Sequence, residues 1–386
     1  VQAFNAETLE SLWVYSDPLK GQANTPITYH DGCVYTGFWN GENKTANFVC
    51  LTIDDEDTAN TKEAKLPLWT YTQQGGFYWA GAYANGQYVV VGTDDGQSGY
   101  TSSTANLIVF DKDTGAVVDS KTGYTGDIRS NIAYDAETNR VYFTSKGGYF
   151  YSEQIDWTTG KIDTGASKAI NLGGMSTSTP VVYKGRAYVG VSGTSQFGQY
   201  SGHHIAVIDL TSWSIAYTAN SKGYPQTSGM LTTAYEEETG YVYVYFMDNY
   251  TPGSMRVIKD KAGLTALEGG VTEDGHANCA PIVFTPSEEL AQYCICSPVA
   301  DENGVIYFKN DTGSMMAVGH KKAEVLTGDA NGDGIIDSND AVLVLRYYAD
   351  STTEGVDLAA ADVNGDGIVD ANDAVAILRL YAGNQE

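Results

Sequence analysis

Thr179-Pro-Val-Val-Tyr-Lys-Gly-Arg-Ala-Tyr-Val-Gly190 reads as a β-hairpin: a short β-branched strand, a Lys-Gly turn, then a Val/Tyr strand. The phrase recurs along the chain. Thr25-Pro-Ile-Thr-Tyr-His-Asp-Gly-Cys-Val-Tyr-Thr-Gly37 and Ala80-Gly-Ala-Tyr-Ala-Asn-Gly-Gln-Tyr-Val-Val-Val-Gly92 precede it, as does the pair Ser130-Asn-Ile-Ala-Tyr-Asp135 and Val141-Tyr-Phe-Thr144. Thr232-Thr-Ala-Tyr235 with Val242-Tyr-Val-Tyr-Phe246, and Ser297-Pro-Val-Ala-Asp-Glu-Asn-Gly-Val-Ile-Tyr-Phe308, follow it.

A third strand comes after each phrase: Phe48 to Ile53, Leu107 to Asp111, Tyr149 to Ile155, Ile205 to Asp209, Met255 to Lys259 and Met315 to Val318. Turns such as Asp111-Lys-Asp-Thr-Gly115 and Asp156-Trp-Thr-Thr-Gly160 lead to a fourth. The period of roughly 45–65 residues fits one four-stranded propeller blade per repeat, where a β-sandwich has no such long repeat. Six phrases give about six blades. Val1 to Tyr15 reads as a third and fourth strand with no first or second, so Leu12 to Tyr15 is expected to complete the last blade and close the ring. Leu264 to Tyr293 is a second place for a seventh blade. The expectation is an all-β, six- to seven-bladed propeller over residues 1–320.

These phrases resemble the PQQ-like propeller repeats of quinoprotein dehydrogenases and their non-enzymatic relatives. Gln292 to Gly313 is similar to the closing repeat of such proteins from anaerobic gut Firmicutes. The resemblance implies a fold and transfers function poorly. A quinoprotein carries vicinal Cys over the cofactor and a Trp-rich docking motif, and neither occurs here. The expectation is therefore no PQQ and no dehydrogenase activity.

Other catalytic signatures are weak. There is no Gly-x-Ser-x-Gly and no His-Glu-x-x-His. His203-His204 reads as a loop pair without a ligand, and Asp94-Asp95 and Asp54-Asp55 sit in turn-like contexts. No catalytic residue is assigned. The loops between second and third strands, and between fourth and first, share one face of a propeller. Here they carry aromatics: Phe38-Trp-Asn-Gly41, Gly75-Gly-Phe-Tyr-Trp79, Thr93 to Tyr100, Ser192 to His204 and Asp248 to Gly253. Flat rings beside amide and hydroxyl groups suit sugars, whose faces are apolar and whose edges are polar. Trp39, Trp79, Tyr100, Tyr200 and Tyr250 are the candidate carbohydrate contacts. Trp69, Trp157 and Trp213 read as blade packing.

The C-terminus changes character. Gly328-Asp-Ala-Asn-Gly-Asp-Gly-Ile-Ile-Asp-Ser-Asn-Asp340 recurs 33 residues later as Ala361-Asp-Val-Asn-Gly-Asp-Gly-Ile-Val-Asp-Ala-Asn-Asp373. Calcium takes six to eight oxygens, and a 12-residue loop supplies them at positions 1, 3, 5, 7, 9 and 12. Those are Asp329, Asn331, Asp333, the Ile335 carbonyl, Asp337 and Asp340, then Asp362, Asn364, Asp366, the Ile368 carbonyl, Asp370 and Asp373. Gly334 and Gly367 stand at the sharp turn. Position 12 is Asp rather than the Glu of an EF-hand, and Lys321 to Thr327 is too short for an entering helix. Each copy is a half EF-hand, a loop plus an exiting helix over 341–349 or 374–382.

This arrangement resembles the type I dockerin, the calcium-dependent plug that binds a cohesin on a scaffolding protein. It implies a domain over 328–386 after a short linker, 321–327, with two calcium ions. The resemblance also implies cohesin contacts at Ser338, Asn339, Leu345 and Arg346, and at Ala371, Asn372, Leu378 and Arg379. The Ser-Thr pair often found in clostridial cellulosomes is missing, so the cohesin is expected to differ from theirs. The near two-fold repeat permits two binding orientations.

Net charge is −26, from 22 basic against 48 acidic residues, which excludes nucleic acid as the expected partner. No apolar run is long enough to span a membrane. The five Cys do not form a disulfide framework; Cys33 and Cys50 could face each other, and the preferred reading is small buried hydrophobes. Cys294 and Cys296 alternate along what reads as a strand. The combined expectation is a secreted, non-catalytic part of a bacterial cell-surface complex, a cellulosome or amylosome. Its propeller would hold a plant polysaccharide such as starch. The alternatives are a polysaccharide-degrading enzyme and a protein-interaction or structural module.

Overall fold

The computed structural model describes residues 1–319, 326–350 and 355–383. It divides into two compact units, Val1–Val318 and Gly319–Glu386. Of the expected linker 321–327, residues 321–325 lie outside the described residues, as does residue 320.

The first unit is a seven-bladed β-propeller, one sheet per blade. Blade 1 holds Gln2–Phe4 and Ser11–Val14. Blade 2 runs Thr28–His30, Cys33–Gly37, Thr45–Thr52 and Trp69–Gln74. Blade 3 is Tyr83–Asn85, Tyr88–Gly92, Ala105–Asp111 and Val117–Tyr124. Blade 4 is Ala133–Asp135, Arg140–Ser145, Tyr149–Asp156 and Lys161–Asn171. Blade 5 is Val181–Tyr183, Arg186–Val191, His204–Asp209 and Ser214–Asn220. Blade 6 is Met230–Thr232, Val242–Met247, Met255–Asp260 and Ile282–Phe284, and blade 7 is Val299–Ala300, Ile306–Lys309 and Met315–Val318.

The inner hairpins form where the turn residues place them. His30 pairs with Cys33 around Asp31-Gly32, and Tyr183 with Arg186 around Lys184-Gly185. Both central residues of each turn have positive φ, as a twist-matched two-residue hairpin requires. Alternate strand residues then face opposite neighbours, and each sheet contributes to two cores. Trp13 and Tyr15 pack on Phe38, Val49 and Leu51; Phe48, Trp69 and Val89 meet Phe110. The pattern continues blade to blade up to Met247, Met255, Phe308 and Met316 between blades 6 and 7. Gly92 ends the second strand of blade 3 because a Cβ there would collide with Ile128 from the loop entering blade 4.

Three expectations are corrected. Leu12 to Tyr15 does not complete blade 7: Ser11–Val14 pairs with Gln2–Phe4 on one side and with Glu63–Ala64 on the other. Leu264 to Tyr293 is no blade, since Val271–Glu273 and His276–Cys279 extend the outer edge of blade 5 while Ile282–Phe284 finishes blade 6. Cys294 and Cys296 lie outside any strand and both pack on the core between blades 6 and 7, rather than on opposite faces. All five cysteines are free thiols, Cys33 and Cys50 included.

In the second unit the helices Ser338–Asp350 and Ala371–Gly383 pack on each other through Ala341 and Val344 from one copy, and Ala374 and Ile377 from the other. Among the described residues no helix is long and apolar enough to cross a membrane.

Candidate functional site

The segments leading into the first strands of blades 2 to 7 converge on one cavity of ≈ 240 Å³. Pro26, Trp79, Arg129, Thr179, Gln226 and Ser297 each come from a different blade, so the cavity sits at the ring's centre. A second depression of ≈ 400 Å³ shares Trp79, Gln226 and Ile295 and adds Phe197, Asn249 and Tyr293. The lining is mostly amides and hydroxyls. Asn131 accepts from the Gly81 amide through Oδ1, and Gln226 accepts from Asn249 through Oε1. Their side-chain NH2 groups remain as donors toward a ligand.

Trp79 brings an aromatic face to the lining of both depressions, and a ring stack runs back from it. The rings of Trp39 and Tyr78 stack at 4.7 Å between centroids, and Tyr78 and Trp79 at 4.5 Å. Trp79 reaches this position with φ 61°, in the left-handed region that a bulky residue rarely adopts. The far side of the second depression carries Tyr293, met edge-on by Phe197 at 6.3 Å and by Tyr250 at 6.1 Å. Tyr200 does not join them. It stacks on His276 at 4.0 Å and donates to Asp274.

Beneath the stack lies Arg129, 4 % exposed. Its Nε and Nη2 grip Asp94, with Nη2 at 2.6 Å from Oδ2, and the same nitrogen lies 2.9 Å from Glu42 and 2.8 Å from Asp127. The guanidinium also faces Tyr78, Trp39 and Tyr100, while Lys146 sits 3.7 Å from the centre of the Tyr100 ring. Tyr100 therefore shares Arg129 with the stack but lines neither depression. Glu42, Asp94 and Asp127 bring ligand oxygens close enough for a metal. Arg129 occupies that point, so the trio is the coordination of a guanidinium. One cation among three carboxylates leaves a surplus of negative charge. Burial pushes the Asp127 carboxyl up to about 6, and burial with Arg129 nearby pulls Lys146 down to about 8.

Of the carbohydrate contacts expected from sequence, Trp79 lines both depressions, Trp39 stands behind it in the stack, and Tyr100, Tyr200 and Tyr250 line neither; Tyr78 and Phe197 were quoted only as loop members. Asp94-Asp95, expected in a turn-like context, is buried at both positions. Arg129 carried no local signal, since its partners come from residues 42, 94 and 127. His203, 1 % exposed, is structural: Nδ1 accepts from the Gly193 amide. Trp69 is core, Trp157 packs edge-on to Tyr83 and Tyr134, and Trp213 packs on Phe150.

The second unit holds the duplicated loops. Asp329 accepts from the amides of Asp333 and Gly334, and Asp362 from those of Gly365 and Gly367. Asp340 and Asp373, both fully buried, accept from Asn331 and Asp337 and from Asn364 and Asp370. Position 12 thus reaches back across each loop. Asp337 and Asp370 accept from the amides of Asn339 and Asn372 at the helix starts. Gly334 and Gly367 have φ of 86° and 83°. The donor set is all hard oxygen, which suits calcium. The residues expected to meet a cohesin, Ser338, Asn339, Leu345, Arg346, Ala371, Asn372, Leu378 and Arg379, are all exposed. Val342 and Val375 share their helix faces, so each copy presents an uncovered apolar stripe.

A family profile of the Dockerin type I domain matches residues 327–380, and this segment is such a domain. Type I dockerins bind calcium, and a dockerin implies a cohesin partner in a cellulosome-like assembly. No curated protein matches the chain. Among solved structures, BamB from Moraxella catarrhalis is similar at 14% identity, covering 77% of this chain and 76% of that one with a TM-score of 0.43. The WD40 β-propeller domain of Doa1 is similar at 14% identity over 83% and 86%, TM-score 0.44. The WD40 domain of Toxoplasma gondii coronin matches at 14% over 75% and 66%, TM-score 0.42.

Proposed function

We propose that this protein is a secreted, non-catalytic component of a cellulosome- or amylosome-like complex, whose propeller binds plant polysaccharide. The observation that carries the reading is the Trp39–Tyr78–Trp79 stack bordering a cavity lined by amides and hydroxyls. Stacked rings offer apolar faces to pyranose C–H groups, and Asn131 and Gln226 offer donors to hydroxyl edges.

Delivery belongs to the dockerin. Two calcium ions would be held by Asp329, Asn331, Asp333, Ile335, Asp337 and Asp340, and by Asp362, Asn364, Asp366, Ile368, Asp370 and Asp373. Calcium there neutralises clustered carboxylates and fixes the start of each exiting helix. Leu345 and Leu378 anchor the apolar stripes against a cohesin, with Ser338, Asn339, Arg346, Ala371, Asn372 and Arg379 around them.

Affinity electrophoresis of the protein through starch, xylan, pectin and cellulose tests the reading. Retardation on one glycan, lost in Trp79→Ala, supports it. Unretarded migration on all four sinks it. Release of soluble sugars from any of them would replace it with an enzyme.

A further inference from the structure

The second depression differs in chemistry from the central cavity beside it. Phe197, Asn249 and Asp311 stand at the same place in the repeat, the loop between second and third strands of blades 5, 6 and 7. Each is fixed by the chain around it. His203 pins the Phe197 loop at two points, its Nδ1 accepting from the Gly193 amide at 2.9 Å and its Nε2 donating to the Gly198 carbonyl at 2.8 Å. The Asn249 amide donates to the Tyr224 carbonyl, and the Asp311 amide to the Tyr293 carbonyl, both at 3.0 Å. Asn310 ties the same two segments together, donating through Nδ2 to Leu290 at 2.6 Å.

Three rings border the space: Trp79, Phe197 and Tyr293. The planes of Phe197 and Tyr293 meet at 88° and form a corner, and Phe197 is 61 % exposed. The polar lining is rich in acceptors. Asn249 is 3 % exposed, its Nδ2 is spent on Gln226 at 2.7 Å, and its Oδ1 has no partner among the described residues. A buried carbonyl oxygen without a donor is a cost that a bound N–H removes. Asp311 is the one charged residue in the lining, which holds no Lys, Arg or His. The buried cations of the neighbouring blades are already outnumbered, Arg129 by Glu42, Asp94 and Asp127, and Arg256 by Asp248 and Glu273.

We infer that the second depression is a site for a protonated amine, an ammonium carried on a compact carbon skeleton. Its N–H groups are taken by Asn249 Oδ1 and the Asp311 carboxylate, while its charge and the adjoining C–H groups lie against Trp79, Phe197 and Tyr293. A neutral ligand of the same shape meets the rings and leaves Asp311 without a counter-charge. The inference does not rest on glycan binding, because Phe197 and Asp311 line this depression and not the central cavity. Two sources carry the chemistry, an amino sugar and an aliphatic amine, and the test separates them.

The test is calorimetric titration of the whole protein with cyclohexylammonium, cadaverine and glucosamine, each beside an uncharged counterpart: cyclohexanol, pentanediol and N-acetylglucosamine. Saturable one-to-one binding of an amine is expected, with its counterpart several-fold weaker. Tighter glucosamine identifies an amino sugar, and tighter cadaverine an aliphatic amine. Asp311→Asn is expected to weaken amine binding by up to about fivefold, the worth of one exposed ion pair. Phe197→Ala is expected to weaken it by about two- to fivefold, the worth of one exposed cation–ring contact. Both side chains are exposed, so neither substitution disturbs the core. No saturation with any amine overturns the inference, as does amine binding unchanged in both variants. Equal binding of amines and their uncharged counterparts also overturns it and returns the depression to the glycan surface.

Discussion

The guanidinium of Arg129 lies 4.8 Å from the centre of the Tyr78 ring while its other side is held by Asp94. One residue thus links the aromatic wall to the buried acids of blades 3 and 4. Removing it exposes both to the same failure. Arg129→Ala leaves Asp94 and Asp127 buried without a counter-cation, a loss of about 3–5 kcal/mol. The urea midpoint of the propeller is expected to fall, and glycan retardation with it. Arg129→Lys should not restore either, because a single ammonium cannot make the two-toothed contact with Asp94.

Trp79 touches both depressions and ends the ring stack. Trp79→Ala is expected to weaken glycan binding by ~0.5–1.5 kcal/mol, the worth of one aromatic contact. Its thermal midpoint should stay close to that of the parent, since the ring is half-buried. Tyr200→Ala, away from the depressions, is expected to keep full retardation. Equal losses in the two variants would separate binding from the central wall.

Burial pushes Asp127 up to about 6, whereas an unfolded Asp titrates at about 3.9. Between those values the folded chain holds a proton that the unfolded chain has released. The contribution is therefore full below about pH 4 and is lost as pH rises through 6. Asp248, fully buried beside Arg256, is raised to about 6 in the same way, burial again outweighing the cation. Asp127→Asn is expected to reduce the stability decline between pH 4 and 6, to which the burial-raised carboxyls of Asp94, Asp95 and Asp248 also contribute. Denaturant midpoints measured across that window report it, and an unchanged slope would count against the shift.

Calcium titration by calorimetry is expected to give two sites per chain. Asp340→Ala and Asp373→Ala should each leave one, because both residues close their loops by the same two amide contacts. A chelator should abolish helical circular dichroism of the dockerin and cohesin capture while the propeller's thermal transition persists.

The helix faces around Leu345 and Leu378 repeat 33 residues apart and are equally exposed, at 44 % each. Either face alone is expected to seat a cohesin. Leu345→Asp and Leu378→Asp should each retain binding within about a factor of two, the statistical weight of one lost orientation, and the double variant should lose it. Surface plasmon resonance on immobilised cohesin distinguishes this from a single fixed orientation, in which one variant alone would be silent.

The blades were legible because period-2 strands and Gly turns are local signals. His30-Asp31-Gly32-Cys33 specifies its hairpin within four residues. The dockerin loops were legible for the same reason, each being one contiguous run. What escaped depended on chain distance. Arg129 is defined by Glu42, Asp94 and Asp127, and no window contains all four. The pairing of Ser11–Val14 with Glu63–Ala64 joins a strand to an excursion that sequence alone reads as loop. Tyr200 was chosen for its loop, and its orientation toward His276 and Asp274 follows from an insertion in the next blade.

Those excursions have a mechanical sense. Glu63–Ala64 leaves blade 2 to clasp blade 1, and His276–Cys279 leaves blade 6 to clasp blade 5. Each is a strap buckled across the seam between adjacent staves. Because its backbone bonds run along the rim, splitting that seam means shearing them together, not peeling them one at a time. The ring is hooped at two seams by these straps, in addition to the side chains and the backbone bonds of the entry loops, such as the Ile132 amide on the Gly81 carbonyl, that join neighbouring staves elsewhere.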